Sequence, residues 1–362
     1  MSKKLRAIGA GILAAVWLGL TVFAWCKPAD DTSESERRKL NQLPKLTVQA
    51  LLDGSYMEKF GDYTVDQFPL RDTFRTVKAL FSQKVLQQQD NNGYFIKDGY
   101  IVKQTYPLND TSVNHAISVF DGLYKTYLED TDSRIYLSVV PDKGYYLEGY
   151  PAMDYAELQT RLEEKLPWAT TIDITGTLTL SDYYRTDTHW RQEALAETAA
   201  VLCRAMGAQT LADVETVLAT DRFYGVYYGH AALPMEPENM YRLESQILRE
   251  CRVYDAQGNA LAMYDESKLT GADPYEMYLS GNQPLVRIEN PNATTDRQLV
   301  IFRDSFGSAI PPWLLGSYQS VTLVDVRYMN PDLLGQLVTF DGQDVLFLYS
   351  TLILNESGTL RK

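Results

Sequence analysis

Three runs near the C-terminus constrain the fold of this chain more than any other feature. Leu299–Phe302, Val321–Val326 and Val345–Tyr349 are dominated by β-branched, leucine and aromatic residues. A strand with one wet face alternates apolar and polar positions, whereas a strand apolar on both faces must be covered on both, as inside a parallel sheet flanked by helices. Helices expected to begin near Pro311 and Pro331 separate the runs and provide the crossovers that parallel strands need. The same rhythm occurs upstream: a strand over Arg134–Val140 closed by Pro141, a helix over Tyr155–Leu166, and a strand over Thr170–Ile174. Next comes a helix beginning near Trp190, with Leu195, Ala199, Leu202 and Met206 on one side, that ends by Gly207. The economical architecture is an α/β fold, a three-layer α/β/α sandwich.

Residues from about 221 to 290 break that rhythm. The aromatic, turn-rich stretch Phe223–Gly229 and the strand-like Cys251–Tyr254 predict a mostly β insertion. Between Pro69 and Gln89, apolar residues at Leu70, Phe74, Val77, Leu80, Phe81, Val85 and Leu86 recur at three- and four-residue steps. This spacing predicts an amphipathic helix with one buried stripe and Pro69 in its first turn. Asp98-Gly99 between two short apolar runs predicts a hairpin. A second amphipathic helix is expected over about Val113–Tyr127.

Lys3, Lys4 and Arg6 precede an uncharged run from Ala7 to Trp25, close to the ~20 residues that cross a bilayer. Positive charge on the short side predicts that this end stays in the cytoplasm and the remainder is exported. Phe23-Ala24-Trp25-Cys26-Lys27 fits poorly with a cleavage site or a lipoprotein cysteine, so the run reads as an uncleaved signal anchor. The expected organisation is a cytoplasmic tail over 1–6, a transmembrane anchor over 7–25 and a polar linker over 26–46. An extracytoplasmic domain then fills 47–362. A formal net charge of -13 argues against a nucleic-acid partner, because nothing would replace counterions on a phosphate backbone. Cys203 and Cys251 fit either a disulfide or two buried thiols. The histidines lack any zinc-ligand spacing, and no cofactor or metal is expected.

The chemistry concentrates in two places. In Tyr183–Trp190, Asp187 and His189 lie two positions apart, so in extended or turn backbone the carboxylate can hold one ring nitrogen while the other remains free to accept a proton. At the start of a helix, the dipole would also favour the neutral imidazole. Ser305 lies in Arg303-Asp304-Ser305-Phe306-Gly307, directly after an apolar strand, where a turn exposes both a hydroxyl and a backbone N–H. Each motif alone is ordinary turn and cap chemistry; together, at the carboxyl ends of strands, they suggest a nucleophile with its base.

These motifs resemble the DHHW family and its relatives, the alginate O-acetyltransferase proteins AlgJ and AlgX, which are SGNH-hydrolase-like. The likeness rests on Tyr-Arg-Thr-Asp187-Thr-His189-Trp190, followed far downstream by a strand and Asp304-Ser305-Phe306-Gly307, with Asp-x-His preceding the serine. Thr188 stands where the family has its first histidine, and Arg303 where it commonly has glycine. The resemblance implies an SGNH-hydrolase-like sandwich and an extracytoplasmic polysaccharide O-acetyltransferase. Ser305 would be the nucleophile, His189 the base and Asp187 its orienter. It further implies Arg327 and Asn282 as oxyanion or substrate-binding residues, a glycan acceptor, and a membrane-bound O-acyltransferase as partner. A carbohydrate acetyl esterase with the same triad, and a non-catalytic polysaccharide-binding or assembly factor, are the alternative readings.

Overall fold

Residues Lys3–Cys26 form one continuous helix, α1, with no buried residue. Its length and mean hydropathy suffice to cross a membrane. It belongs to the first of two compact units in this computed structural model, which describes residues 3–88 and 90–362. Met1, Ser2 and Gln89, the expected helix end, lie outside the described residues. The first unit runs to Asn92 and includes Tyr228–Pro234; the second holds Gly93–Tyr227 and Met235–Lys362.

In the first unit, the segment expected to be a linker is structured. Thr32–Ser33 (β1) pairs with Arg38–Lys39 (β2), and helices α2 (Val48–Leu52), α3 (Ser55–Asp66) and α4 (Arg71–Lys84) follow. Arg38 clamps Asp66 through two hydrogen bonds of 2.6 and 2.9 Å, which explains why so polar a stretch takes a fixed path. α4 forms close to where its periodicity predicts, starting after Leu70 rather than at Pro69. Its apolar stripe is exposed, contrary to expectation.

The second unit opens with the hairpin β3 (Tyr94–Lys97) and β4 (Tyr100–Lys103), where Asp98 and Gly99 both take positive φ as a two-residue turn requires. Helix α5 (Asp110–Leu123) follows. The central sheet then collects β5 (Arg134–Val140), β6 (Thr170–Thr171), β9 (Arg252–Asp255), β10 (Ala260–Leu261), β11 (Leu285–Glu289), β12 (Gln298–Arg303), β13 (Ser320–Val324) and β14 (Asp344–Ser350). Their order is β10-β9-β11-β13-β12-β14-β5-β6. The pairings from β13 through β6 are parallel, and those from β10 through β13 antiparallel.

Successive residues of the central strands point to opposite faces and enter different cores. Leu299, Ile301, Leu346 and Leu348 pack with α7 (Ala196–Ala205) and Trp190 on one side. Val300, Phe302, Val345 and Phe347 pack with α5 and α6 (Tyr155–Lys165) on the other. This is the three-layer sandwich that the apolar runs predict.

Only part of the expected β insertion stands outside the sheet. β7 (Glu215–Phe223) and β8 (Glu238–Glu244) form a separate hairpin, whereas β9 to β11 extend the sheet's antiparallel edge. The strand expected over Thr170–Ile174 is limited to Thr170–Thr171, the two residues that pair with β5.

Candidate active site

Strand β12 delivers its chain end to a sharp turn. Asp304 caps that turn: its Oδ1 accepts from the Phe306 N–H (2.9 Å), and its Oδ2 accepts from the N–H (2.8 Å) and hydroxyl (2.6 Å) of Ser350 at the end of the adjacent β14. Asp304 is therefore a structural anchor that leaves the next residue, Ser305, half-buried at the carboxyl edge of the sheet. A Cβ on Gly307 would come within 2.6 Å of the Arg303 Cβ, so the turn needs glycine there. Arg303 itself is buried, donating to the Asp304 carbonyl (3.2 Å) and the Ser308 hydroxyl (3.0 Å). Burial pushes its pKa down, while nearby Asp325 opposes the shift.

Asp187 and His189 reach the serine from a small closed loop. Tyr183 and Trp190 bridge as paired residues, and the Tyr184 N–H donates to the His189 carbonyl (3.1 Å). Within the loop, Asp187 Oδ1 accepts from the His189 backbone N–H (3.0 Å) and lies 2.5 Å from Nδ1 of its ring. An ionised carboxylate can only accept, so Nδ1 carries the proton and Nε2 is the acceptor. Nε2 lies 2.8 Å from the Ser305 hydroxyl. The Trp190 indole donates to the Phe306 carbonyl (2.9 Å), tying the residue after His189 to the residue after Ser305.

Several contacts hold the loop. Glu238 accepts from the N–H groups of Arg185 (2.7 Å) and Thr186 (2.8 Å) and from the Thr186 hydroxyl (2.7 Å). The Val226 N–H donates to Asp187 Oδ2 (2.8 Å). A Cβ on the neighbouring Gly225 would lie 2.2 Å from that of Asp187. Lys143, wholly buried, donates to the carbonyls of Ile101 (2.5 Å) and Tyr184 (3.0 Å). Burial pushes its pKa down to about 7, against the opposing pull of Asp187 and Glu238.

The two residues expected to bind the oxyanion or substrate, Arg327 and Asn282, hold acidic partners. Arg327 is bound twice to Asp325, through Nε (2.9 Å) and Nη2 (2.7 Å), an ion pair set by a partner two residues away. Asn282 sits in an exposed turn and donates to Glu276 (2.9 Å). The α-helix expected near His189 begins only at Ala196, because a 3-10 turn over Gln192–Ala194 intervenes. The dipole argument for a neutral imidazole therefore fails, and Asp187 orients the ring. Sequence reasoning missed Tyr275, whose ring stacks on His189 with centroids 3.8 Å apart and planes 7° apart. Nothing local in Asp273-Pro274-Tyr275 marks that contact. Cys203 and Cys251 are both free thiols, pushed up to about 12 and about 11 by burial.

The sandwich places a serine at a strand end facing an Asp-x-His loop. Several solved structures share the fold. A DHHW family protein from Eubacterium siraeum is 22% identical over 75% of this chain and 97% of its own, with a TM-score of 0.58. Bacillus cereus PatB1, solved with a sulfonyl adduct, is 19% identical over 72% and 95%, with a TM-score of 0.56. No protein-family model matches the sequence, and no curated protein matches it.

Proposed function

We propose that this chain is an extracytoplasmic acyltransferase that O-acetylates a polysaccharide through an acetyl-Ser305 intermediate. The observation that carries the reading is the continuous hydrogen-bonded line from Asp187 to His189 (2.5 Å) to Ser305 (2.8 Å). The Ser305 Oγ attacks the acyl carbonyl as its proton passes to His189 Nε2; collapse of the tetrahedral adduct expels the leaving group with that proton. The acceptor hydroxyl then attacks the acyl-serine, giving its proton to Nε2, and Ser305 leaves as its free hydroxyl. Asp187 stabilises the imidazolium formed in each half. The N–H of Ser305, first residue of its 3-10 turn, is the candidate oxyanion donor.

A cleft of about 980 Å³ opens at the carboxyl ends of β5 and β6, and Asp187, His189 and Ser305 are not among its lining residues. Tyr106, Tyr145 and Tyr155 line it beside Asp154 and Asp173, a mix of ring faces and carboxylates suited to sugar faces and hydroxyls. On this reading α1 is a single-pass anchor and the acetyl donor is supplied by a membrane-bound O-acyltransferase. The sulfonyl adduct on PatB1 suggests the probe.

Full-length protein in detergent is treated with a sulfonyl fluoride and, separately, with an aryl acetate and an acceptor oligosaccharide. Wild type is expected to be modified at Ser305 and to acetylate the acceptor, and Ser305→Ala to do neither. Acetate release without acceptor acetylation would indicate an esterase. Wild type inert to both reagents would leave only a glycan-binding role.

A further inference from the structure

Amphipathic helices of water-soluble domains turn their apolar line inward, and α4 does the reverse. Leu70, Phe74, Val77, Phe81 and Val85 recur at three- and four-residue steps and so share one line of the helix surface. That line faces outward: Phe74, Val77 and Phe81 keep 46%, 56% and 53% of their surface exposed. The opposite line is the packed one. It buries Ala79 and Ser82 and carries Arg75, whose guanidinium reaches Glu36 (3.2 Å) and the Gly229 carbonyl (2.9 Å). An apolar stripe of this extent on a folded domain marks contact with something other than water.

The path of the chain says what covers it. α1 ends at Cys26, and a few residues later Asp30 exchanges two hydrogen bonds with Gln67, the residue that closes α3 (2.8 and 2.9 Å). The α3–α4 junction is thus fastened to the exit of α1. The charged residues gather on the packed side, where Arg71 and Arg75 both hold Glu36. Lys78 and Lys84 fall at the margins of the stripe; Lys78 donates to Asn92 (3.0 Å), and Lys84 holds the kind of position from which a long cationic side chain reaches lipid phosphates while its stem stays in the apolar layer. Trp25, at the end of α1, is 84% exposed and is the residue type that populates the membrane–water boundary.

We infer that α4 lies in the plane of the membrane that α1 crosses, with its Leu70–Val85 line sunk into the outer leaflet of an anionic phospholipid bilayer. The inference rests on α1 being a membrane span and deepens the anchored reading: the first unit is a two-point attachment, one helix through the bilayer and one along it.

Full-length protein carrying Cys26→Ser, Cys203→Ala and Cys251→Ala receives single spin-labelled cysteines at Phe74, Val77 and Phe81, with Asp72 on the polar side as reference. It is reconstituted into phosphatidylethanolamine–phosphatidylglycerol vesicles, with circular dichroism to confirm folding. The ratio of oxygen to nickel-chelate accessibility is expected to be severalfold higher at the three stripe positions than at Asp72. Equal ratios overturn the inference. So does spin–spin broadening that disappears on dilution with unlabelled protein, because the stripe then covers a second copy. Alkaline carbonate extraction separates the two readings: release from vesicles sinks the α1 span itself, whereas retention with nickel-accessible labels sinks α4 alone.

Discussion

Asp187 has its carboxylate, its loop and its neighbours committed to one orientation of His189. Asp187→Asn keeps the shape but offers an N–H where only an acceptor fits the productive tautomer, so acyl-serine formation is expected to fall about 10⁴-fold with unchanged circular dichroism. Stopped-flow aryl acetate kinetics measures this. Gly225→Ala is expected to do comparable damage, because its Cβ would occupy the space of the Asp187 Cβ at 2.2 Å and pull away the Val226 N–H. An active Gly225→Ala enzyme would show that the contact is dispensable. Lys143 gives a pH signature. The folded protein releases its proton at about 7, whereas the unfolded chain keeps it to about 10.5. Across that window the unfolded state binds more protons, so this group makes stability rise with pH; below about 7 its burial penalty stands in full. Lys143→Met is expected to flatten that rise, read from urea unfolding at pH 6.5, 8 and 9.5.

At the scale of elements, β12 and β14 hold the site because their alternate residues fill cores on both faces of the sheet. Leu346→Ala, buried fully on the α7 side, is expected to cost about 3 kcal/mol in denaturant unfolding. The cap of α6 is cheaper: Asp154 accepts from the Glu157 N–H at 2.9 Å, and Asp154→Ala is expected to cost about 1 kcal/mol. Asp98-Gly99 and the Arg134–Val140 strand were legible because turn chemistry and a bounded apolar run are local signals. The start of α7 was not, since Trp190 and Leu195 carry helical spacing while lying before the helix, in a segment whose path is fixed by bonds to Phe306 and Ala309. α4 teaches a sharper limit: periodicity says which residues share a face, and nothing about the medium that face meets.

For the whole molecule, the excess of acidic residues makes acid pH a test of how charges are used. Asp66 is held well below the usual carboxylate range, chiefly by Arg38, so its stabilisation is complete above the ordinary aspartate pKa near 3.8 and is lost as pH falls toward its lower folded value. Arg38→Gln is expected to remove that component, making an acid titration followed by circular dichroism shallower between pH 4 and 2. An unchanged titration would mean that the clamp does not order the segment after α1.

The order of apolar runs, the spacing of Asp187 and His189 and the placing of Ser305 after a strand are one-dimensional facts, and they carried the layered fold and the choice of the three side chains that the structure brings together. What they lacked was any contact made across the chain: Tyr275 against His189, Glu238 beneath Thr186, and β9 to β11 against β13. Those were settled only when the sheet closed, because a side chain's partner depends on which distant strands become neighbours, and local propensity carries no record of that choice.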